Sequence, residues 1–299
     1  MGDDARAARV RALCDDLTAE TVDLLALLEP LDEDAWLTPT PAAGWNIRDQ
    51  VTHLAYFDEA TALAATDPEA FAARARELTG LGDDFSDVIA ARCRDLAGPA
   101  ALDWFIQARA ALSAALLAAD PTVKLPWFGP PMNSASSATA RLMETWAHGQ
   151  DVADALGRER VPTVRLRPIA HLGVATMAWG FTVRGRPIPA DPVRVELTAP
   201  ECDRWEWGPD SATSVLRGPA LDFCLLVTQR RHRDDLRLEA TGEPARRWLE
   251  VAQIFAGPPG PGRPPGANVP DPSGGDRILA GGAVPARCVP GGSTGGSQS

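Results

Sequence analysis

The stretch RLMETWAHGQD, residues 141–151, decides how this chain is read. Glu144 and His148 stand four residues apart, so a helix stacks carboxylate and imidazole on one face. A longer stripe shares that face: Ser137, Arg141, Glu144, His148 and Asp151, at steps of four, three, four and three. Five polar side chains in a row would also make an ordinary solvent face. The opposite face, with Met143, Ala147 and Asp154, is however a poor core stripe. The residue types favour a metal site, with Asp151 one turn beyond His148, where a carboxylate orients a ligating imidazole.

A second stretch supplies the complement. GWNIRDQVTHLAYFDEA, residues 44–60, has helical periodicity and carries His53. Where two such helices cross, two neutral imidazoles and one carboxylate can surround a divalent cation. Three protein ligands leave one coordination position open, the arrangement of a catalytic site rather than a structural one. The chain has only four histidines, so this pattern uses half of them. By itself His53 reads as a packed or surface residue, and Asp49 as its intrahelical partner. His171 and His232 have no partner at useful spacing and read as structural or surface residues. The chain contains no GxSxG, HExxH, P-loop or GxGxxG pattern. No cysteine has the basic or helix-start context of a nucleophile, and Cys224 within ALDFCLLV reads as core packing.

Outward from these stretches, the periodicity predicts four long helices. The first covers 5–29, with Val10, Leu13, Leu17, Leu24 and Leu28 on its apolar stripe. LTPTPAAGW (37–45) is a loop, and Asn46 caps a second helix running to about Thr66. Shorter helical pieces fill 67–97, a third long helix spans 100–119, and Asp120-Pro121 breaks it. After the turn-rich KLPWFGPPMNSAS (124–136), a fourth long helix opens near Ser134 or Ser136 and runs to about Leu156. Four antiparallel helices make a bundle, whose metal sites are built from inward-facing side chains of different helices.

Beyond Arg160 the pattern turns to α+β. A helix over 163–182 precedes strands in PVRVELTAP and RWEWGPD, a helix in GPALDFCLLVTQRRH, a short strand in LRLEATG and a closing helix in GEPARRWLEVAQIFAG. The expected division is therefore 1–160 for the bundle, 161–256 for the α+β part, and 257–299 for a disordered tail. That tail holds 12 glycines and 9 prolines in 43 residues.

Composition narrows the function. A net charge of −11, with no basic cluster, argues against a nucleic-acid partner. No apolar run approaches the roughly 18 residues of a membrane span, and MGDDARAARVRALCDD does not resemble a secretory signal. Five cysteines without a CxxC pair suit free thiols in a reducing cytoplasm. The expectation is a cytoplasmic protein, monomer or homodimer, acting on small molecules.

TPTPAAGWNIRDQVTHLAYFD, followed about ninety residues later by RLMETWAHGQDVADALG, resembles the DinB-like superfamily of metal-binding four-helix bundles. Within it the chain is most similar to the mycothiol-dependent maleylpyruvate isomerase branch, over roughly residues 5–255. The resemblance implies an α+β fold: an N-terminal metal-binding bundle followed by a smaller sterol-carrier-like part. It implies His53, Glu144 and His148 as ligands, zinc as the usual divalent metal, and mycothiol as thiol cosubstrate with a small electrophile. An arginine of that branch thought to hold thiol or substrate falls loosely on Arg230 or Arg231; Arg141 is a further candidate anchor. The WFGPPM loop and the AHGQD form of the motif resemble a metal-binding subgroup whose substrate is not defined. Three functions follow as alternatives: thiol-dependent isomerisation or S-transfer; metal chemistry without a thiol, by a hydrolase, isomerase or cyclase; or a non-catalytic binding module.

Overall fold

Helix α1 spans Asp3–Leu28 and α2 Ile47–Thr66 in a computed structural model, which describes residues 2–80, 82, 85–260 and 262–266. Asn46 begins α2 by accepting the Asp49 backbone N–H at 2.9 Å, while the Asp49 carboxylate accepts the Asn46 N–H at 3.0 Å. This reciprocal capping box satisfies two otherwise unpaired donors. Two short helices follow, α3 (Pro68–Thr79) and α4 (Phe85–Arg92), then the long α5 (Gly98–Ala118). A two-stranded hairpin, β1 (Lys124–Leu125) with β2 (Met132–Asn133), leads into α6 (Ser134–Ala155). Asn133, one residue before the expected start, caps α6 by accepting the Ser136 N–H at 2.9 Å.

One buried ion cluster ties the four long helices together. The Asp58 carboxylate of α2 accepts Arg109 Nε of α5 at 2.7 Å and Arg141 Nε of α6 at 2.8 Å. Arg109 also donates to Thr21 of α1 and, at 2.9 Å, to Thr145 of α6. Helix α5 has the length and composition of a membrane span, yet it packs against α1, α2 and α6 and carries Arg109 into this cluster.

Past residue 160 the single helix expected over 163–182 is two, α7 (Leu166–Ala175) and α8 (Met177–Thr182). Thr176 lies at the break, its hydroxyl bonded back to the Leu172 carbonyl at 2.9 Å. A four-stranded sheet follows, with β3 (Val193–Thr198), β4 (Arg204–Trp207), β5 (Ser214–Pro219) and β6 (Glu239–Thr241) in the order β4-β3-β5-β6. Strand β5 was not expected, yet it lies at the centre of the sheet, parallel to β3. Its short Val-Leu core ends in Gly-Pro, which reads as a turn. Gly218 has φ +151°, and a Cβ there would lie 2.5 Å from the Arg237 carbonyl oxygen. Helices α9 (Ala220–Val227) and α10 (Glu243–Val251) cover one face of the sheet.

The largest apolar cluster runs from Leu13 and Leu17 of α1 through Leu142 and Trp146 of α6 to Leu197, Phe223 and Trp248. The change to mixed structure near residue 160 does not interrupt it. Helix α6 is central and buried on nearly every side, which explains why its sequence shows no clean apolar stripe. Most of the Gly/Pro tail, from residue 267, lies outside the described residues. Residues 257–260 and 262–266 continue along the fold, where Arg263 pairs with Asp151.

Candidate metal centre

His53 lies midway along α2, and Glu144 and His148 lie midway along α6. The helices cross so that one donor atom from each residue falls within 4.8 Å of the others. Glu144 Oε2 is 3.1 Å from His148 Nε2 and 3.9 Å from His53 Nε2. Two donors about 2.0–2.1 Å from one tetrahedral zinc stand roughly 3.4 Å apart, so the spacing suits ligands to a shared ion. The polar stripe of α6 is not a solvent face: Ser137, Arg141, His148 and Asp151 are all buried.

Electrostatics set the protonation of His53 and Glu144. Burial, then the charge of His148, holds the His53 pKa well below the usual histidine value; Glu144 offsets this only in part, and Arg141 and Arg230 add to the lowering. His53 is therefore a neutral imidazole, and its buried Nδ1 has no hydrogen-bond partner among the described residues. Burial alone would raise the Glu144 pKa. The hydrogen bond from His148 and the charges of His148 and Arg141 outweigh it, lowering the value to about 2. The donor set is thus two imidazoles and one carboxylate, a composition that suits zinc. Glu144 is the most open of the three, with its side chain 22% exposed.

The residue that orients His148 is Gln50, not Asp151. Gln50 lies one turn before His53, and its Oε1 meets His148 Nδ1. The Gln50 amide donates to Thr40 Oγ1 at 2.8 Å, and Thr40 donates to the Trp45 carbonyl at 2.9 Å. The TPTPAAGW loop thereby aims a candidate ligand on a distant helix. Gln50 accepts the Nδ1 proton, so a cation would take Nε2, the His148 nitrogen that faces Glu144, in place of the proton shared there. Gln50→Ala is expected to weaken zinc binding by about 10- to 100-fold without unfolding the protein. A competitive chelator titration checks this; unchanged affinity would show that Gln50 does not position His148.

Asp151 does not orient the imidazole: the two ring nitrogens of His148 meet Gln50 and Glu144, and the Asp151 oxygens receive two arginines. Arg230 donates to Oδ2 at 2.9 Å and Arg263 to Oδ1. Arg231 is likewise engaged by Asp154, at 2.6 and 2.7 Å. Arg141, expected as an anchor for ligand carboxylates, is 3% exposed and bonded to Asp58, so it belongs to the bundle core. Of the three expected anchors, Arg141 and Arg230 both act electrostatically on His53.

Aromatic rings wall the centre. Trp45 lies 5.2 Å from His53 and 6.0 Å from His148, centroid to centroid, with its indole N–H bonded to Asp87. Phe57 lies 4.6 Å from His53 and continues into Phe85, Trp127 and Phe128. The WFGPPM loop thus completes an apolar wall beside the ligands. No free thiol of the described residues is activated. Burial raises the pKa of Cys14, Cys93 and Cys224, with Asp15 adding to it at Cys14 and Asp49 at Cys93.

Known proteins resemble this chain in sequence and in fold. The family model described as the mycothiol maleylpyruvate isomerase N-terminal domain matches residues 17–153, which include all three candidate ligands. An uncharacterized protein of Mycobacterium tuberculosis, found in two strains, is 51% identical over 254 residues, covering 83% of this chain and 96% of the relative. This chain belongs to one family with that Mycobacterium tuberculosis protein, and its residues 17–153 carry the mycothiol maleylpyruvate isomerase N-terminal domain. Crystal structures of the mycothiol-dependent maleylpyruvate isomerase and of a histidine-to-alanine mutant share the fold, with TM-scores of 0.51 and 0.52. Each is 15% identical and covers 82% of this chain and 96% of its own. A second family model, described as wyosine base formation, matches residues 189–240, from just before β3 to within β6. For a member of this family, the sites that sequence reasoning passed over are Gln50, Thr40, Trp45 and Arg263. Gln50 had a signal, since it shares the His53 face of α2 one turn earlier.

Proposed function

We propose that this protein is a cytoplasmic, metal-dependent enzyme that uses a low-molecular-weight thiol, mycothiol, to isomerise a small electrophile or to transfer sulfur to it. The observation that carries this reading is the convergence of His53, Glu144 and His148 beside an aromatic wall, where the free thiols among the described residues are held protonated. A divalent cation in this donor set, most simply zinc, would lower the pKa of a thiol reaching its open position.

The chain's own groups prepare the site. Burial keeps His53 neutral, so it can ligate without first losing a proton. Gln50 fixes the tautomer and direction of His148. Glu144 stays ionised and supplies the negative charge. Trp45 and Phe57 limit water around the ligands, which strengthens electrostatic interactions there. Arg230, held by Asp151, would meet an acidic group of the electrophile in this reading.

Addition of a thiolate to an activated double bond, rotation about the resulting single bond, and departure of the same thiolate give cis–trans isomerisation with no net change in the thiol. With a leaving group present, the same addition ends in S-transfer. Zinc-loaded protein is expected to turn over maleylpyruvate, or a generic electrophile such as chlorodinitrobenzene, only when mycothiol is added. Product formed at equal rate without any thiol would overturn the thiol-dependent reading.

A further inference from the structure

A cavity of about 240 Å³ lies where the start of α1, the start of α6 and α7 meet. Arg6, Arg9 and Val10 line it from α1, Ser136 from α6, and His171 and Leu172 from α7. It is separate from the candidate metal centre. Ser136 is about 12 Å along α6 from Glu144. Ala135 and Thr139, also at the wall, lie about half a turn round the helix from Glu144 and His148, respectively.

In a chain of net charge −11, this wall carries two arginines and no carboxylate. Arg6 and Arg9 stand one helical turn apart, where like charges repel. Arg6 gives only Nη1, to Asp3 at 2.6 Å. Arg9 has no ion-pair or hydrogen-bond partner among the described residues. Asp120, just outside the wall, takes the Thr122 N–H at 2.8 Å and hydroxyl at 2.7 Å, and feels the charge of Arg6 without pairing with it. Across the cavity the Trp207 indole N–H donates to His171 Nδ1 at 3.1 Å. A neutral His171 therefore carries its proton on Nε2, a donor without an acceptor among the described residues. The Ser136 hydroxyl is likewise unpaired there, and Val10 and Leu172 add apolar surface. Donors thus reach one cavity from three helices. The three terminal oxygens of a phosphate group can meet donors from such separate directions, which the two oxygens of a planar carboxylate cannot.

We propose that this cavity is a binding site for a small phosphate monoester, distinct from the candidate metal centre. Arg6 and Arg9 hold the phosphate, Ser136 and His171 supply further donors, and the organic group lies on Val10 and Leu172. The arginines carry the site, and the positive end of the α6 dipole only adds to it. Nothing in this binding requires the metal or the thiol.

Phenyl phosphate, titrated by calorimetry into metal-free full-length protein, tests the site, with inorganic phosphate as the headgroup alone and phenol as the uncharged control. Saturable binding of one phenyl phosphate per chain is expected, weaker binding of inorganic phosphate, and none of phenol. Arg6→Gln combined with Arg9→Gln should weaken phenyl phosphate binding about tenfold or more. Ser136→Asp keeps the test valid if the double variant does not fold. A carboxylate in the first turn of α6 suits the helix, so the fold and its melting temperature should hold, yet the same charge at the wall should repel the phosphate and weaken binding about tenfold. No saturable binding by wild type, phenol bound as tightly as phenyl phosphate, or wild-type affinity in either variant overturns the site.

Discussion

His148→Ala and Glu144→Ala should each yield folded protein that no longer retains zinc through purification. Each substitution removes one of only three donors, so affinity should fall by more than the roughly 10- to 100-fold attributable to an outer contact such as Gln50. His148→Ala also strips Gln50 Oε1 of its partner, a destabilisation of about 1–3 kcal/mol if no water replaces it. Glu144, with its 22% exposed side chain, leaves less behind. Metal analysis beside thermal melts separates the two effects. Thiol-dependent turnover should fall to background in both variants. Wild-type zinc content in either variant would mean that the ion is held elsewhere or by other residues.

The largest effect on stability is expected from Asp58→Ala. Asp58 is fully buried and is the carboxylate shared by Arg109 and Arg141. Its removal leaves two desolvated guanidiniums without their counter-charge at the junction of α1, α2, α5 and α6. Breaking a buried pair from one side costs about 3–5 kcal/mol, a large fraction of the 5–15 kcal/mol that holds a typical domain folded. Arg109 keeps its bonds to Thr21 and Thr145, so the bundle should loosen rather than rearrange. Denaturant unfolding of wild type and variant measures the difference; a change below about 1 kcal/mol would show that the cluster is not a fastening of the bundle.

The long helices were legible because their signals are local. Asn46 with Asp49 announces the start of α2 within four residues, and Asp120-Pro121 ends α5 within two. The candidate ligands were legible for the same reason in α6, where Glu144 and His148 are helical neighbours. His53 became convincing only through a likeness to known sequences, since no spacing rule links residues so far apart. What sequence did not reveal depends on tertiary approach. Strand β5 is short and ends like a turn, and only its position between β3 and β6 makes it a strand. Asp151 has the right spacing to support His148, but two distant arginines draw its carboxylate away. Gln50 takes that role because the crossing of α2 and α6 brings its amide to the ring. Arg141 looked like a ligand anchor until burial against Asp58 showed it to be part of the bundle core.

The absorption spectrum of cobalt-substituted protein, recorded before and after addition of mycothiol, tests the central claim most directly. One bound cobalt per chain, with low-symmetry visible bands and a new sulfur-to-cobalt charge-transfer band when the thiol is added, is the predicted result. The bound cobalt should be lost in His53→Ala. Stoichiometric cobalt that survives His53→Ala, or a spectrum that mycothiol leaves unchanged, would contradict the account.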